Sequence, residues 1–325
     1  MDLQTGSARQ DQENVRQFRR LLLRWYGAHQ RKLPWRGESD PYRILVSEIM
    51  LQQTRVAVVE DRYRKFIAQF PSIQKLARAK EQTVLAAWSG LGYYRRARNL
   101  HRAAKEISKA GEFPHTAEAL QELPGIGRYT ANAVASIAFG EQVAVVDGNV
   151  KRVLQRFTGR ALNEKQYWQA AEVMLDPGSP GDFNQSMMEL GATVCLPGKP
   201  LCETCPVLDL CASRGAKAKR EREVRKKAVV KYALCMRNGS VLLQQRPQSS
   251  SLMPSMWELP AFRGTQPNGP PLMKLKHSIT VTDYSVLVFA GKGYKGQWVP
   301  LRNADRFALT GLTRKILQKL EEMKS

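Results

Sequence analysis

The sequence predicts a mainly α-helical domain followed by a smaller α+β domain, and three observations support this division. Apolar residues recur with helical spacing between residues 14 and 211. A basic, polar segment follows, and after it the apolar residues fall into short runs separated by turn residues, as in strands. The expected parts are a frayed polar terminus at 1–13, the helical domain at 14–211, a linker at 212–228 and the α+β domain at 229–325.

Bulk properties indicate a polyanionic partner. The chain has 325 residues, enough for two domains with their own cores, and a net charge of +22, which makes nucleic acid the first candidate. The polar N-terminus lacks the apolar segment of a signal peptide, and no apolar run is long enough to span a membrane. We therefore expect a protein of the bacterial cytosol, where thiols stay reduced.

The first helical elements place an acid where apolar residues are expected. "VRQFRRLLLRWYGAH" predicts one helix, and Asp40-Pro41 supplies an N-cap and a first-turn proline for the next. In "ILVSEIMLQQT", Glu48 lies on the same side of the helix as Ile44 and Leu45. Burial disfavours the charged form of a carboxyl group, so we expect the pKa of Glu48 to be raised.

A glycine-containing connection predicts an anion site. Further helices are expected at 55–69, 82–88, 95–110, 117–121, 128–138, 148–157 and 165–175. Between two of them, "LPGIGRYTANAV" contains Gly125 and Gly127, which allow a tight turn before a helix N-terminus. Free N–H groups at that end favour a DNA phosphate without reading base sequence.

Asp147 is a second candidate carboxylate. It precedes a predicted helix in "VVDGNVKRV", where an N-cap role is expected. Hydrogen bonds from backbone N–H groups favour the ionised form, so we expect the pKa of Asp147 to be held down. A neutral acid and an anion are the pair that cleavage of a glycosidic bond requires.

Four cysteines form a candidate metal site. Cys195, Cys202, Cys205 and Cys211 follow the spacing C-x6-C-x2-C-x5-C on a polar loop, and the four histidines are distant in sequence. The spacing alone leaves both zinc and an iron–sulfur cluster open.

The C-terminal part predicts strands and a final helix. Asn238-Gly239 lies between two apolar runs, which indicates a β-hairpin. "SVLVFAG" and "GQWVPL" predict further strands, and "DRFALTGLTRKILQKLEEM" predicts the last helix.

These motifs resemble the helix-hairpin-helix DNA glycosylase superfamily and, within it, the MutY family of adenine DNA glycosylases. The similarity extends from about residue 14 to residue 211, with weaker similarity to about residue 320. The motifs that carry it are "LPWR", "SEIMLQQT", "GLGYY", "LPGIGRYTANAV", "VVDGNVKRV", "FNQSMMELGATVC" and the cysteine spacing. The resemblance implies a helix-hairpin-helix glycosylase domain with a [4Fe–4S] cluster held by the four cysteines of the 195–211 loop.

The resemblance also implies roles for individual residues. Glu48 would protonate adenine and Asp147 would stabilise an oxocarbenium-like sugar, with Tyr129 and Asn149 orienting these two carboxyl groups. The implied partner is double-stranded DNA with an A:8-oxoguanine or A:G mispair. By resemblance, the base pocket would contain Arg31, Leu33, Trp35, Arg36 and Gln185, and the DNA contacts would include Gln53, Tyr93, Gly125, Gly127 and Thr280.

The C-terminal domain resembles the Nudix-like mispair-recognition domain of this family. "MPSMWELPAF" carries the resemblance, whereas "RGTQPNGPPLMKLK" lacks the glutamates that a Nudix hydrolase uses to bind metal. In the segment "HSITV", Thr280 keeps the hydroxyl of the family's lesion-contacting loop, but the loop histidine is absent. Selectivity for 8-oxoguanine over guanine is therefore expected to be lower or achieved by other residues.

Two alternatives remain at this point. A bifunctional glycosylase/AP lyase of the endonuclease III type needs a nucleophilic lysine, whereas Tyr129 occupies the matching position and cannot form a Schiff base. A non-catalytic iron–sulfur DNA-binding protein would have no use for Glu48 and Asp147. A monomer is expected, since a single lesion has no twofold symmetry.

Overall fold

The chain folds into two compact units that alternate along the sequence. The computed structural model describes residues 4–214, 226–250, 252–263, 269–279 and 282–323. The first unit comprises Met1–Gln53, Ser72–Gln74 and Arg102–Glu221, and the second comprises Thr54–Pro71, Lys75–His101 and Arg222–Ser325. The linear division predicted from the sequence differs from this grouping, because residues 81–101 pack and hydrogen-bond with the C-terminal segment.

The helices fall close to their predicted positions. They are α1 (Gln4–His29), α2 (Pro41–Leu51), α3 (Val56–Gln69), α4 (Ile73–Arg78), α5 (Glu81–Ala87), α6 (Arg95–Ala110), α7 (Ala117–Gln121), α8 (Arg128–Phe139), α9 (Gly148–Thr158), α10 (Glu164–Met174), α11 (Pro180–Thr193) and α12 (Gly311–Glu322). Helices α4 and α11 were not predicted. Helix α1 begins at Gln4 instead of near residue 14, because Gln, Arg, Ala and Glu extend an anchored helix without needing an apolar face.

The first unit has a core built from helices that are distant in sequence. Helix α1 contributes the fully buried Phe18 and Leu22, which lie in one cluster with apolar residues of α9 and α11. The predicted start of α2 is confirmed: the Asp40 side chain accepts a hydrogen bond from the Tyr42 N–H, and Pro41 opens the helix. Helices α2, α8, α9 and α11 thereby form the frame of the candidate site.

The second unit contains two sheets and α12. Its strands are β1 (Lys226–Leu234), β2 (Met236–Arg237), β3 (Ser240–Gln245), β4 (Trp257–Glu258), β5 (Met273–Ile279), β6 (Thr282–Ala290) and β7 (Gln297–Pro300). One sheet has the order β1-β6-β5, with β1 parallel and β5 antiparallel to β6. The other has the order β2-β3-β4, with β7 also paired to β3. The predicted hairpin is confirmed, since Asn238 and Gly239 both have positive φ between β2 and β3.

Parts of two predictions fall on undescribed residues. Residues 215–225 of the expected linker and Thr280 lie outside the described ranges, and β1 already begins at Lys226. Among the helices of the described residues, none combines the length and apolar character needed to cross a membrane.

Candidate active site

Glu48 is buried in α2, as its place among apolar residues predicted. The residue is 6% exposed, and seven other α2 residues around it are buried. Burial raises the pKa of the Glu48 carboxyl above its ordinary value, against a hydrogen bond from Tyr129 and the charge of Arg36, both of which lower it. The side chain is therefore placed to hold a proton, as we expected from the sequence.

Tyr129 provides the direct contact to this acid. It lies in the first turn of α8, and its hydroxyl donates a hydrogen bond to Glu48 Oε2 at 2.8 Å. Burial and the neighbouring carboxyl groups hold the pKa of Tyr129 well above its usual value, so the phenol stays protonated and remains a donor. The backbone of α8 thereby fixes the orientation of the Glu48 carboxyl group.

Asp147 caps α9, but its pKa shift is opposite to the predicted one. Its Oδ1 accepts a hydrogen bond from the Val150 N–H at 2.7 Å, and its Oδ2 accepts one from Asn149 Nδ2 at 2.9 Å. Burial nevertheless raises the pKa of Asp147, outweighing these hydrogen bonds and the charge of Arg152. The prediction of a depressed pKa was wrong because the capping position is also withdrawn from water, which the sequence did not reveal.

The structure brings Glu48 and Asp147 into one electrostatic environment. The charge of Asp147 raises the pKa of both Glu48 and Tyr129, so Asp147 interacts electrostatically with both groups. This charge is a smaller cause than burial, so the protonated form of Glu48 is favoured first by its withdrawal from water and then by Asp147.

Arg152 is a site residue that the sequence reasoning missed. Its guanidinium donates to Asn149 Oδ1 at 2.7 Å and to the carbonyl oxygens of Gly191 at 2.6 Å and Cys195 at 2.7 Å. Since Asn149 in turn holds Asp147, Arg152 joins the N-terminus of α9 to the end of α11. Gly191 allows this approach, because a Cβ at that position would lie 2.6 Å from Asn149 Cβ.

Glu189 of α11 is a second residue that was missed. Its side chain is 0% exposed and receives Arg31 Nε at 2.6 Å and Arg36 Nη2 at 2.8 Å. Burial alone would raise its pKa, but the Arg31 hydrogen bond and the two arginine charges lower it. On a helical wheel the nearest neighbours of Glu189 are Gln185, Ser186, Ala192 and Thr193, so no apolar face in the sequence indicated its burial.

The predicted base-pocket residues are partly connected through this carboxylate. Arg31 and Arg36 bind Glu189, and Arg36 also hydrogen-bonds Gln185 Oε1. Trp35 is 6% exposed and Leu33 is half-buried, so both also fit ordinary packing positions. Their roles in binding a base stay predictions.

The hairpin before α8 has the backbone that an anion site needs. Gly125 has a φ of +76°, a left-handed conformation that favours glycine. Gly127 is the N-cap of α8, and a Cβ added there would meet no atom within 4 Å. No side chain at Gly127 covers the free N–H groups at the start of α8, so a phosphate has access to them.

Two predicted DNA contacts have unusual backbone conformations. In the first unit, Gln53 follows α2 with a φ of +54° and an exposed side chain. In the second unit, Tyr93 has a φ of +46° and is 45% exposed. Non-glycine residues seldom adopt positive φ, and such positions concentrate at functional sites.

The four loop cysteines are free thiols, each partly buried. Burial, and to a smaller degree the charges of Cys195, Cys211 and Cys202, raise the pKa of the Cys205 thiol to about 11. Within the part of the chain that the structure describes, no group of three or more His, Cys, Asp or Glu side chains is placed to hold a metal ion. The predicted cluster stays a prediction.

Comparison with known proteins adds to this geometry. A family model described as "HhH-GPD superfamily base excision DNA repair protein" matches residues 46–175. The chain is 47% identical over 221 residues to the adenine DNA glycosylase of Homo sapiens, an alignment covering 63% of this chain and 40% of that protein. It is 37% identical over 303 residues to the adenine DNA glycosylase of Arabidopsis thaliana, covering 77% of this chain and 48% of that protein.

A solved structure also matches the helical part. It is described as that of a thermostable thymine-DNA glycosylase, with 32% sequence identity and a TM-score of 0.58. The match covers 62% of this chain and 97% of the other. By contrast, the chain spans less than half the length of the human and plant relatives that it matches.

Proposed function

The chain belongs to the HhH-GPD superfamily of base excision DNA repair proteins, and from that membership we propose that it is a monofunctional adenine DNA glycosylase. The proposed substrate is adenine mispaired with 8-oxoguanine or guanine in double-stranded DNA. The observation that carries the proposal is Glu48, a buried acid with a raised pKa that accepts a hydrogen bond from Tyr129 beside Asp147. The similarity to adenine DNA glycosylases supports the choice of base.

The proposed reaction begins with a proton on Glu48. The target nucleotide leaves the helix, because its glycosidic bond is inaccessible inside the duplex. Glu48 transfers its proton to N7 of adenine, which makes the base a better leaving group, and the electrons of the C1′–N9 bond move to the base. The sugar that remains has oxocarbenium character.

Asp147 and a water molecule complete the reaction. Ionised Asp147 stabilises the positive sugar, and the Val150 and Asn149 hydrogen bonds favour this ionised form. Water then adds its oxygen to C1′ and gives a proton to Glu48, which restores the acid. The products are free adenine and an abasic site in an intact strand.

DNA binding is assigned to several surfaces. The net charge of +22 attracts the duplex, and the hairpin with Gly125 and Gly127 contacts a phosphate through the α8 N-terminus. The proposed role of Gln53 and Tyr93 is to occupy the space around the extruded base. The C-terminal α+β domain, with its Nudix-like sequence, would read the opposite base.

The loop cysteines are proposed to hold a [4Fe–4S] cluster. The electrostatic effect of the other three loop thiols on Cys205 and the Arg156 hydrogen bond to Cys195 Sγ at 3.3 Å support this assignment. When bound, such a cluster would cross-link the 195–211 loop through four iron–thiolate bonds. Chemical analysis of iron and acid-labile sulfide in the purified protein tests it, with Cys202→Ser as the variant expected to lose both.

One assay distinguishes the proposed activity from its alternatives. Duplexes with A:8-oxoguanine, A:G and A:T pairs are incubated with enzyme and analysed with and without alkali. We expect strand breaks at the mispaired adenine only after alkali, because an abasic site is alkali-labile. Breaks without alkali would indicate an endonuclease III-type lyase, and binding without adenine release would indicate a non-catalytic protein.

A further inference from the structure

The turn between α5 and α6, residues 89–94, presents Tyr93 in a restrained conformation. Tyr93 has a φ of +46° and is 45% exposed. A bulky residue in this region of φ is strained and persists only where its surroundings fix it. The contacts of the turn therefore decide how Tyr93 is held.

Both ends of the turn are held by the C-terminal segment of the same compact unit. The Tyr94 hydroxyl donates to the Leu309 carbonyl at 3.0 Å and lies 3.2 Å from Ser89 Oγ. Arg314 Nε of α12 donates to Ser89 Oγ at 2.8 Å. Since the single Tyr94 proton goes to Leu309, Ser89 donates to Tyr94 and accepts from Arg314.

This chain of hydrogen bonds is shielded from water. Ser89 is 0% exposed and Tyr94 is buried, so an unpaired group here would not be solvated. Arg314 is itself held by Asp305, which fixes the guanidinium over Ser89. Buried chains of this kind are costly to break, because each remaining member keeps an unsatisfied donor or acceptor.

The middle of the turn is held by its own neighbours. Trp88 Nε1 donates to the Gly92 carbonyl at 3.1 Å, and Arg96 Nη2 donates to the Leu91 carbonyl at 3.0 Å. The Arg96 guanidinium also lies 5.2 Å from the Tyr93 ring centroid. These contacts shape the turn, whereas Ser89 and Tyr94 attach it to residues 309–314.

We propose that Ser89, Tyr94 and Arg314 are positioning residues through which α12 holds the Tyr93 turn in its DNA-binding conformation. This inference rests on the proposed function, in which Tyr93 contacts DNA. A turn fixed before binding loses less conformational entropy when it engages the duplex. The C-terminal domain would thus support lesion binding through the protein interior as well as through contacts of its own.

A double-mutant cycle tests the proposal. The variants Tyr94→Phe, Tyr93→Ala and their combination are compared for binding to an A:8-oxoguanine duplex whose target adenosine carries a 2′-fluorine that blocks cleavage. We expect Tyr94→Phe to weaken binding about threefold to tenfold, from the loss of one buried hydroxyl. In the Tyr93→Ala background the same change should have no further effect, because its action passes through Tyr93.

The controls separate positioning from general stability. Tyr232→Phe makes the same chemical change on β1 in the same unit and should leave binding unchanged. Single-turnover excision at saturating DNA should keep its pH profile in Tyr94→Phe, since Glu48 and its contacts are untouched. Ser89→Ala replaces Tyr94→Phe in the cycle if the latter lowers the melting temperature enough to impair folding.

Two results would overturn the proposal. They are unchanged duplex binding by the folded variant, and equal weakening with and without the Tyr93 ring. Failure of wild-type protein to release adenine contradicts the proposed function instead, so the two hypotheses fail by different measurements.

Discussion

Two glutamates buried in the first unit have pKa shifts of opposite direction. Glu48 on α2 is buried beside the phenol of Tyr129, and burial raises its pKa. Glu189 on α11 is also buried, but hydrogen bonds and charge from Arg31 and Arg36 lower its pKa. Burial therefore does not decide the protonation state by itself; the neighbouring donor decides it.

The two helices therefore carry glutamates that are suited to different roles. A neutral carboxyl on α2 is suited to donate a proton, and an anion on α11 is suited to hold cationic side chains in place. The same substitution, Glu to Gln, should consequently have different effects at the two positions.

The largest expected effect is on catalysis by Glu48→Gln. The amide keeps the size of the side chain and can still accept the Tyr129 hydrogen bond, but it has no proton to transfer. We expect single-turnover adenine excision to fall by about 10²- to 10⁴-fold or more, while binding to mispaired DNA is retained. Substantial excision by this variant would refute the assignment of Glu48 as the acid.

The next effect is on stability, in Glu189→Gln. Removing the charge leaves Arg31 and the mostly buried Arg36 without their shared counter-ion. We expect a loss of about 3 kcal/mol in the free energy of unfolding, measured by urea denaturation. A variant as stable as wild type would show that the arginines are solvated and that the contrast with Glu48 is overstated.

Tyr129→Phe should shift the pH dependence of excision. The Tyr129 hydrogen bond lowers the pKa of Glu48, so its loss should raise that pKa further. Because Glu48 must be protonated, the alkaline limb of kcat/KM should move to higher pH. Tyr167→Phe, a change on exposed α10, serves as the control and should leave the limb unmoved.

The smallest expected effect is a gain in stability from Glu48→Gln. A carboxyl whose folded-state pKa is raised stabilises the fold when protonated, and this contribution is lost as pH rises through the folded-state pKa. At neutral pH, Gln should therefore stabilise the protein by about 0.5–2 kcal/mol. Thermal melts should show the gain shrinking towards pH 4, where the Glu48 of wild type is protonated in both states.

The sequence was most informative where local rules apply. The helical wheel predicted the burial of Glu48, the Asp40-Pro41 pair predicted the start of α2, and Asn238-Gly239 predicted the β2–β3 hairpin. Each of these depends on residues within one or two turns of the chain. Local patterns determine such features directly.

What the sequence left unpredicted depends on long-range packing. The electrostatic effect of Asp147 on Glu48 and the burial that raises the pKa of Asp147 follow from how α2, α8, α9 and α11 pack. The grouping of residues 81–101 with the C-terminal segment depends on contacts such as Tyr94 to Leu309. Neither hydrophobic periodicity nor capping residues in the sequence indicate these long-range contacts.

Gly191 permits a short distance between α9 and α11 because glycine has no Cβ. The backbone of α11 passes so close to Asn149 that a single methyl group at residue 191 would overlap it. An alanine there would force α9 and α11 apart and move Asn149, the residue that holds Asp147. The single hydrogen atom that Gly191 carries in place of a side chain therefore allows the short distance between α9 and α11. That distance in turn sets the orientation of the Asp147 carboxylate.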